Sequence, residues 1–139
     1  MKQTIFFLIL VGVIVLGATA VAAWWYLTPF AVKTYSSSVT VLPAGRYLAL
    51  NTDTDGIRFG KIPQGAQGER TVIITNNSPR PLRAVLEAKG DIARFISVSN
   101  NNFVIPPNQG TPVIVYAIIP TNAPEGNYTG YLKATLWRT

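Results

Sequence analysis

The residues of this chain best arranged for chemistry lie in one short stretch. Asn51-Thr52-Asp53-Thr54-Asp55-Gly56 sets oxygen side chains at alternate positions ahead of a glycine. Asn51, Asp53 and Asp55 therefore resemble the front half of a calcium-binding loop. Such a loop closes with a bidentate glutamate at its twelfth position, and that position holds Ile62. Ile57 also falls one place early for the usual apolar residue. The same residues suit an Asp-Gly hairpin turn tied by side-chain hydrogen bonds to its own backbone. We read them as that turn, with Asn51, Asp53 and Asp55 as a weak metal candidate.

Other chemistries find less. The carboxylates are Asp53, Asp55, Glu69, Glu87, Asp91 and Glu125, spread over turns and strand faces where nothing shifts a pKa toward acid–base work. Histidine and cysteine are both absent. That removes a histidine base, a thiol nucleophile, a Cys/His zinc site and any disulfide framework. No serine sits in a Gly-x-Ser-x-Gly elbow and no phosphate-binding glycine loop occurs. We expect no catalytic residues, no cofactor and no enzyme activity. Arg80, Arg83 and Arg94 beside Phe95 carry no nucleic-acid-binding motif, so no nucleic-acid partner is expected.

The net charge is +6, and of the Lys and Arg residues only Lys2 precedes Thr28. The rest are scattered. Such a surface suits anionic lipid, acidic glycan or an acidic protein layer, and it also serves plain solubility.

The element that must position any site comes first. From Ile5 to Leu27 the chain reads IFFLILVGVIVLGATAVAAWWYL, without a charge. As a helix it spans about 34 Å, against a hydrocarbon core of about 30 Å. Two readings compete. Met1-Lys2, residues 5–16 and Ala18-Thr19-Ala20 fit a cleavable signal peptide. The full run, ending in the amphipathic Trp24, Trp25 and Tyr26, fits an uncleaved anchor with those three at the membrane interface. Cleavage after Ala20 would leave the exposed apolar start VAAWWYLTPF, which needs burial, so we adopt the anchor. The flanking charges Lys2 and Lys33 are nearly balanced, while the short N-terminal flank and large C-terminal part favour a C-terminal domain outside the cytoplasm. Asn76 and Asn127 stand in glycosylation sequons, the first weakened by Pro79.

Beyond Thr28-Pro29, which ends the helix, residues 29–38 read as a short stalk. Period-two alternation then runs through residues 39–41, 57–59, 69–75, 82–89 and 128–138, with short runs at 46–50 and 103–105 and an almost wholly apolar run at 113–119 that suits a central strand. Ile73 suggests a strand buried on both faces, and residues 91–99 read as either a strand or a helical turn. Turn signals recur throughout, at Asn76-Asn77-Ser78-Pro79-Arg80-Pro81 most strongly. The expected architecture is all-β: an immunoglobulin-like β-sandwich of seven to nine strands behind one N-terminal transmembrane helix. The divisions are residues 1–28 (anchor), 29–38 (stalk) and 39–139 (sandwich).

Ile57-Arg58-Phe59-Gly60, then Arg70-Thr71-Val72-Ile73-Ile74-Thr75-Asn76, Pro106-Pro107 and Ala123-Pro124-Glu125-Gly126-Asn127-Tyr128-Thr129-Gly130-Tyr131-Leu132 follow in order. This order resembles the small Ig-like modules of prokaryotic, notably archaeal, cell-envelope proteins. Physically, Gly126 permits a turn, Tyr128 plugs the sandwich end and Gly130 allows close backbone approach. The resemblance and the anchor together imply a non-enzymatic envelope module docking another surface protein or a glycan layer. The alternative is a cleaved, secreted filament or surface-layer subunit that self-associates by β-strand addition.

Overall fold

The computed structural model describes residues 1–46 and 56–139. The expected strand at 46–50 (apart from Arg46) and the metal candidates Asn51, Asp53 and Asp55 lie outside the described residues.

Helix α1 runs from Lys2 to Leu27, apolar on every side and with none of its residues buried. It is long and apolar enough to cross a membrane, a property it shares with signal sequences. Its end is built locally. The Thr28 N–H and Oγ1 both donate to the Trp24 carbonyl, at 3.1 and 2.8 Å, and Pro29 cannot extend the ladder.

Eight strands follow: β1 (Ala31–Leu42), β2 (Ile57–Pro63), β3 (Gln67–Thr75), β4 (Leu82–Gly90), β5 (Ile96–Val98), β6 (Phe103–Ile105), β7 (Gly110–Ile118) and β8 (Gly126–Arg138). They form a five-stranded sheet in the order β2-β1-β8-β4-β6 and a three-stranded sheet in the order β3-β7-β5. Inward residues of both sheets make one buried cluster, including Val39, Val41, Leu82, Ala84, Leu132 and Leu136 from the first and Ile74, Val113 and Val115 from the second. Alternation explains the faces: in β4, Leu82, Ala84 and Leu86 are buried while Arg83, Glu87 and Lys89 are exposed.

Residues 29–38, expected as a stalk, are no spacer. From Ala31 onward they belong to β1, which pairs antiparallel with β8 from Ala31 to Val41 and parallel with β2 from Ser37 to Leu42. The sequence hides the first half of this strand because, ahead of the apolar Val39 and Val41, its inward positions after Ala31 are Lys33, Tyr35 and Ser37. Their polar ends are satisfied inside the fold. Lys33 Nζ donates to the Thr75 carbonyl and Oγ1 across to β3, and Ser37 Oγ donates to the Tyr35 carbonyl. Burial pushes the Tyr35 phenol above its ordinary pKa.

Two further expectations change. Ile73 is 59% exposed, so β3 buries one face only, through Ile74. Residues 91–99 are both of the things weighed for them: a 3-10 turn (Asp91–Phe95) followed by β5. Gly130 does allow close approach. It faces Gly90 across the β4–β8 pair, and a Cβ there would run into the Lys89 carbonyl.

Candidate functional site

The distinctive site is the junction between α1 and the sheets, assembled from the end of α1, the end of β8 and one turn. The Phe30 N–H donates to the Leu136 carbonyl at 2.7 Å, so the chain enters β1 already paired with β8. Arg138, the last residue of β8, reaches back to the helix. Its Nη1 donates to the carbonyls of Trp25 (2.9 Å) and Thr28 (3.0 Å), and its guanidinium lies 4.1 Å from the Trp25 ring centre. The Phe30 ring is 5.5 Å away on the same cation. Helix C-terminal carbonyls lack intrahelical partners and carry the negative end of the dipole, so a cation here is doubly favoured.

The third part is the turn between β3 and β4, and its hub is Asn76. This side chain is fully buried. Its Nδ2 lies 2.8–3.1 Å from the carbonyls of Arg80, Ile105 and Pro106, and its Oδ1 accepts from the Ser78 N–H at 2.8 Å. The turn so held presents Pro79, Arg80 and Pro81 to Trp25, Tyr26 and Arg138 around a cavity of about 330 Å³. A neighbouring hollow of about 380 Å³ is lined by Arg83, Trp137 and, again, Arg138.

Charge is unevenly distributed about this junction. Arg80, Arg83 and Arg138 stand around it, and Arg83 is the cross-strand partner of Trp137. The described acids sit elsewhere: Glu69 opposite Tyr116, Glu87 opposite Lys133, Asp91 in the 3-10 turn, and Glu125 just ahead of β8. Glu87 and Lys89 pair on an exposed face, holding the carboxyl below its ordinary pKa and the ammonium above. Among the described residues no group of three acidic, histidine or cysteine side chains could hold a metal.

Two other places are structured. An open cleft of about 990 Å³ runs between β1 and β3, lined by Tyr35, Ile57, Ile73, Tyr131 and Lys133 among others. At the start of β8, Tyr128 meets Phe95 edge-on at 4.8 Å and donates its hydroxyl to the Pro124 carbonyl at 2.8 Å. That return to the backbone four residues upstream resembles the tyrosine corner of Ig-type sandwiches. Tyr128→Phe is expected to cost about 1 kcal/mol, read as a lower melting temperature with the secondary structure retained.

The candidate residues divide. Trp24, Trp25 and Tyr26 form the last turn of α1, and only Trp25 is gripped by Arg138. Asn127 is exposed on β8, where its Oδ1 accepts from Thr40 Oγ1 at 2.7 Å. Asn76 departs from its expected role: an acceptor nitrogen must reach solvent, and this one is enclosed by three carbonyls. Arg138 was not foreseen, and a single arginine next to the last residue carries no signal in sequence.

No family model matches the chain, and no curated protein matches it. Among solved structures, the chain is similar to the DraE adhesin in complex with chloramphenicol succinate, with 19% identity, a TM-score of 0.46, and 79% of this chain and 97% of that one covered. It is also similar to the selenomethionine form of the AfaE-3 adhesin from Escherichia coli, with 18% identity, a TM-score of 0.44, and 81% and 98% covered. Nothing in these comparisons supports the archaeal part of the resemblance.

Proposed function

We propose that the chain is a non-enzymatic module of the cell envelope: an immunoglobulin-like β-sandwich held on the membrane by α1, outside the cytoplasm, where it docks another surface protein or a glycan. The observation that carries this reading is the junction. With Arg138 bonded to the helix-end carbonyls and Phe30 paired to β8, α1 passes into the sheet without a spacer, as a permanent part of the molecule would. Trp24, Trp25 and Tyr26 then lie at the membrane interface, and Asn127 is the remaining glycosylation acceptor. Docking by the open edge of β3 suits this layout, since β3 pairs only with β7 among the described strands.

A second reading has an observation of its own. The cleft between β1 and β3 lies along the β3 edge, where strand addition would occur, and a chain cleaved after Ala20 would offer VAAWWYLTPF to a neighbour. N-terminal sequencing of the purified mature protein separates the two. An intact start and retention in membranes through a carbonate wash are expected; a start at Val21 would replace the anchor with the secreted subunit.

A further inference from the structure

We propose that the junction cavity is a headgroup site, in which Arg80 and Arg138 hold the phosphate of an anionic lipid from the leaflet where α1 ends. This rests on the anchored reading. It also requires more than that reading supplies, because an anchor needs only apolar length, whereas this cavity offers cations in a defined place.

Three observations point to the occupant. First, the cavity of about 330 Å³ opens beside the last helical turn, with Trp25 and Tyr26 on one wall and the turn residues Pro79, Arg80 and Pro81 on the other. Aromatic side chains at the end of a span sit at headgroup depth, so the cavity lies where phosphates are. Second, its cations have capacity left. Arg138 commits Nη1 to Trp25 and Thr28, leaving Nε and Nη2 without an acceptor among the described residues. The Arg80 backbone is fixed in the turn, its N–H donating to Ser78 Oγ and its carbonyl accepting from Asn76 Nδ2, while its exposed guanidinium has no acceptor among the described residues. Arginine forks suit phosphate oxygens. Third, no Asp or Glu side chain among the described residues lines this cavity or its neighbour, and Arg83 beside Trp137 extends the same charge outward. A zwitterionic headgroup would set its own ammonium among three arginines, with only the Trp25, Tyr26 and Phe30 rings to receive it. The complementarity is therefore to net negative lipid.

The test uses the full chain in detergent micelles, titrated with phosphatidylglycerol or phosphatidylcholine of matched acyl chains and read by native mass spectrometry. Wild type is expected to retain phosphatidylglycerol over phosphatidylcholine, and Arg80→Gln to lower that retention by about fivefold, the share of one arginine beside an anionic surface. Arg80 is exposed, so its variant should melt with wild type, and Arg138→Lys should keep part of the preference. Equal retention of the two lipids, or a preference untouched by Arg80→Gln, overturns the site. Inorganic phosphate alone binding as well as phosphatidylglycerol overturns its assignment to lipid. A protein that survives a carbonate wash but shows no preference refutes this site and leaves the anchor standing. One released by the wash refutes both.

Discussion

Gly130→Ala is expected to destabilise the domain by about 3 kcal/mol, near the top of the range for overpacked substitutions. Gly130 and Gly90 face each other where β4 and β8 pair. A Cβ on Gly130 would run into the Lys89 carbonyl and come within 2.8 Å of Ile92 Cγ2. The first of these is backbone, held by the ladder, so no rotamer change can clear it. The two strands would have to separate at the centre of the five-stranded sheet. In a thermal melt of the full chain followed by its β circular dichroism, the midpoint should fall on the order of 10–20 °C. Gly17→Ala is the control, since nothing lies within 4 Å of a Cβ there. It should leave the melt unchanged. If Gly130→Ala melts with wild type, the close β4–β8 approach is wrong.

This glycine also shows where sequence reasoning succeeds. Tyr128 and Gly130 lie in a segment whose alternation is regular, with Leu132, Ala134 and Leu136 all buried. Residues 82–89 are legible for the same reason, since the buried face is apolar at every second position, while 113–119 is legible as an apolar run although Ile118 is exposed. β1 fails that test. Between Ala31 and Val39 its inward residues are lysine, tyrosine and serine, and what makes them a strand is pairing with β8 throughout and with β2 from Ser37. Pairing is a property of the fold and leaves no local mark. The junction was illegible on similar grounds. Arg138, Arg80 and Trp25 come from three distant parts of the chain and meet only because β8 ends where α1 does. A positive-inside count over flanking residues cannot see arginines that arrive through the fold. Asn76 misled in the opposite direction, since three consecutive residues spell an acceptor motif whatever surrounds them.

Asn76→Ala is accordingly expected to cost about 3 kcal/mol, although it removes no apolar packing. The amide, itself fully buried, is the shared partner of three carbonyls and the Ser78 N–H. Removing it leaves buried groups unpaired, which costs more than the hydrogen bonds contribute net. Its exposed neighbour gives the contrast: Asn77→Ala should stay within about 0.5 kcal/mol of wild type. Asn76→Asp is the sharper variant. It keeps the oxygen that accepts from Ser78 but turns a second oxygen toward the carbonyls that Nδ2 served. Burial and those carbonyls both oppose the charged form, so the introduced carboxyl has a folded-state pKa above its unfolded value. Between the two values the native state binds more protons than the unfolded state, so the stability of this variant falls as pH rises through that window. Its melting temperature should therefore recover partly between neutral and mildly acidic pH, while that of Asn76→Ala tracks wild type across the same range. A pH-independent deficit in Asn76→Asp would mean that the amide nitrogen does not face those carbonyls. The turn that presents Arg80 to the junction would then need another account.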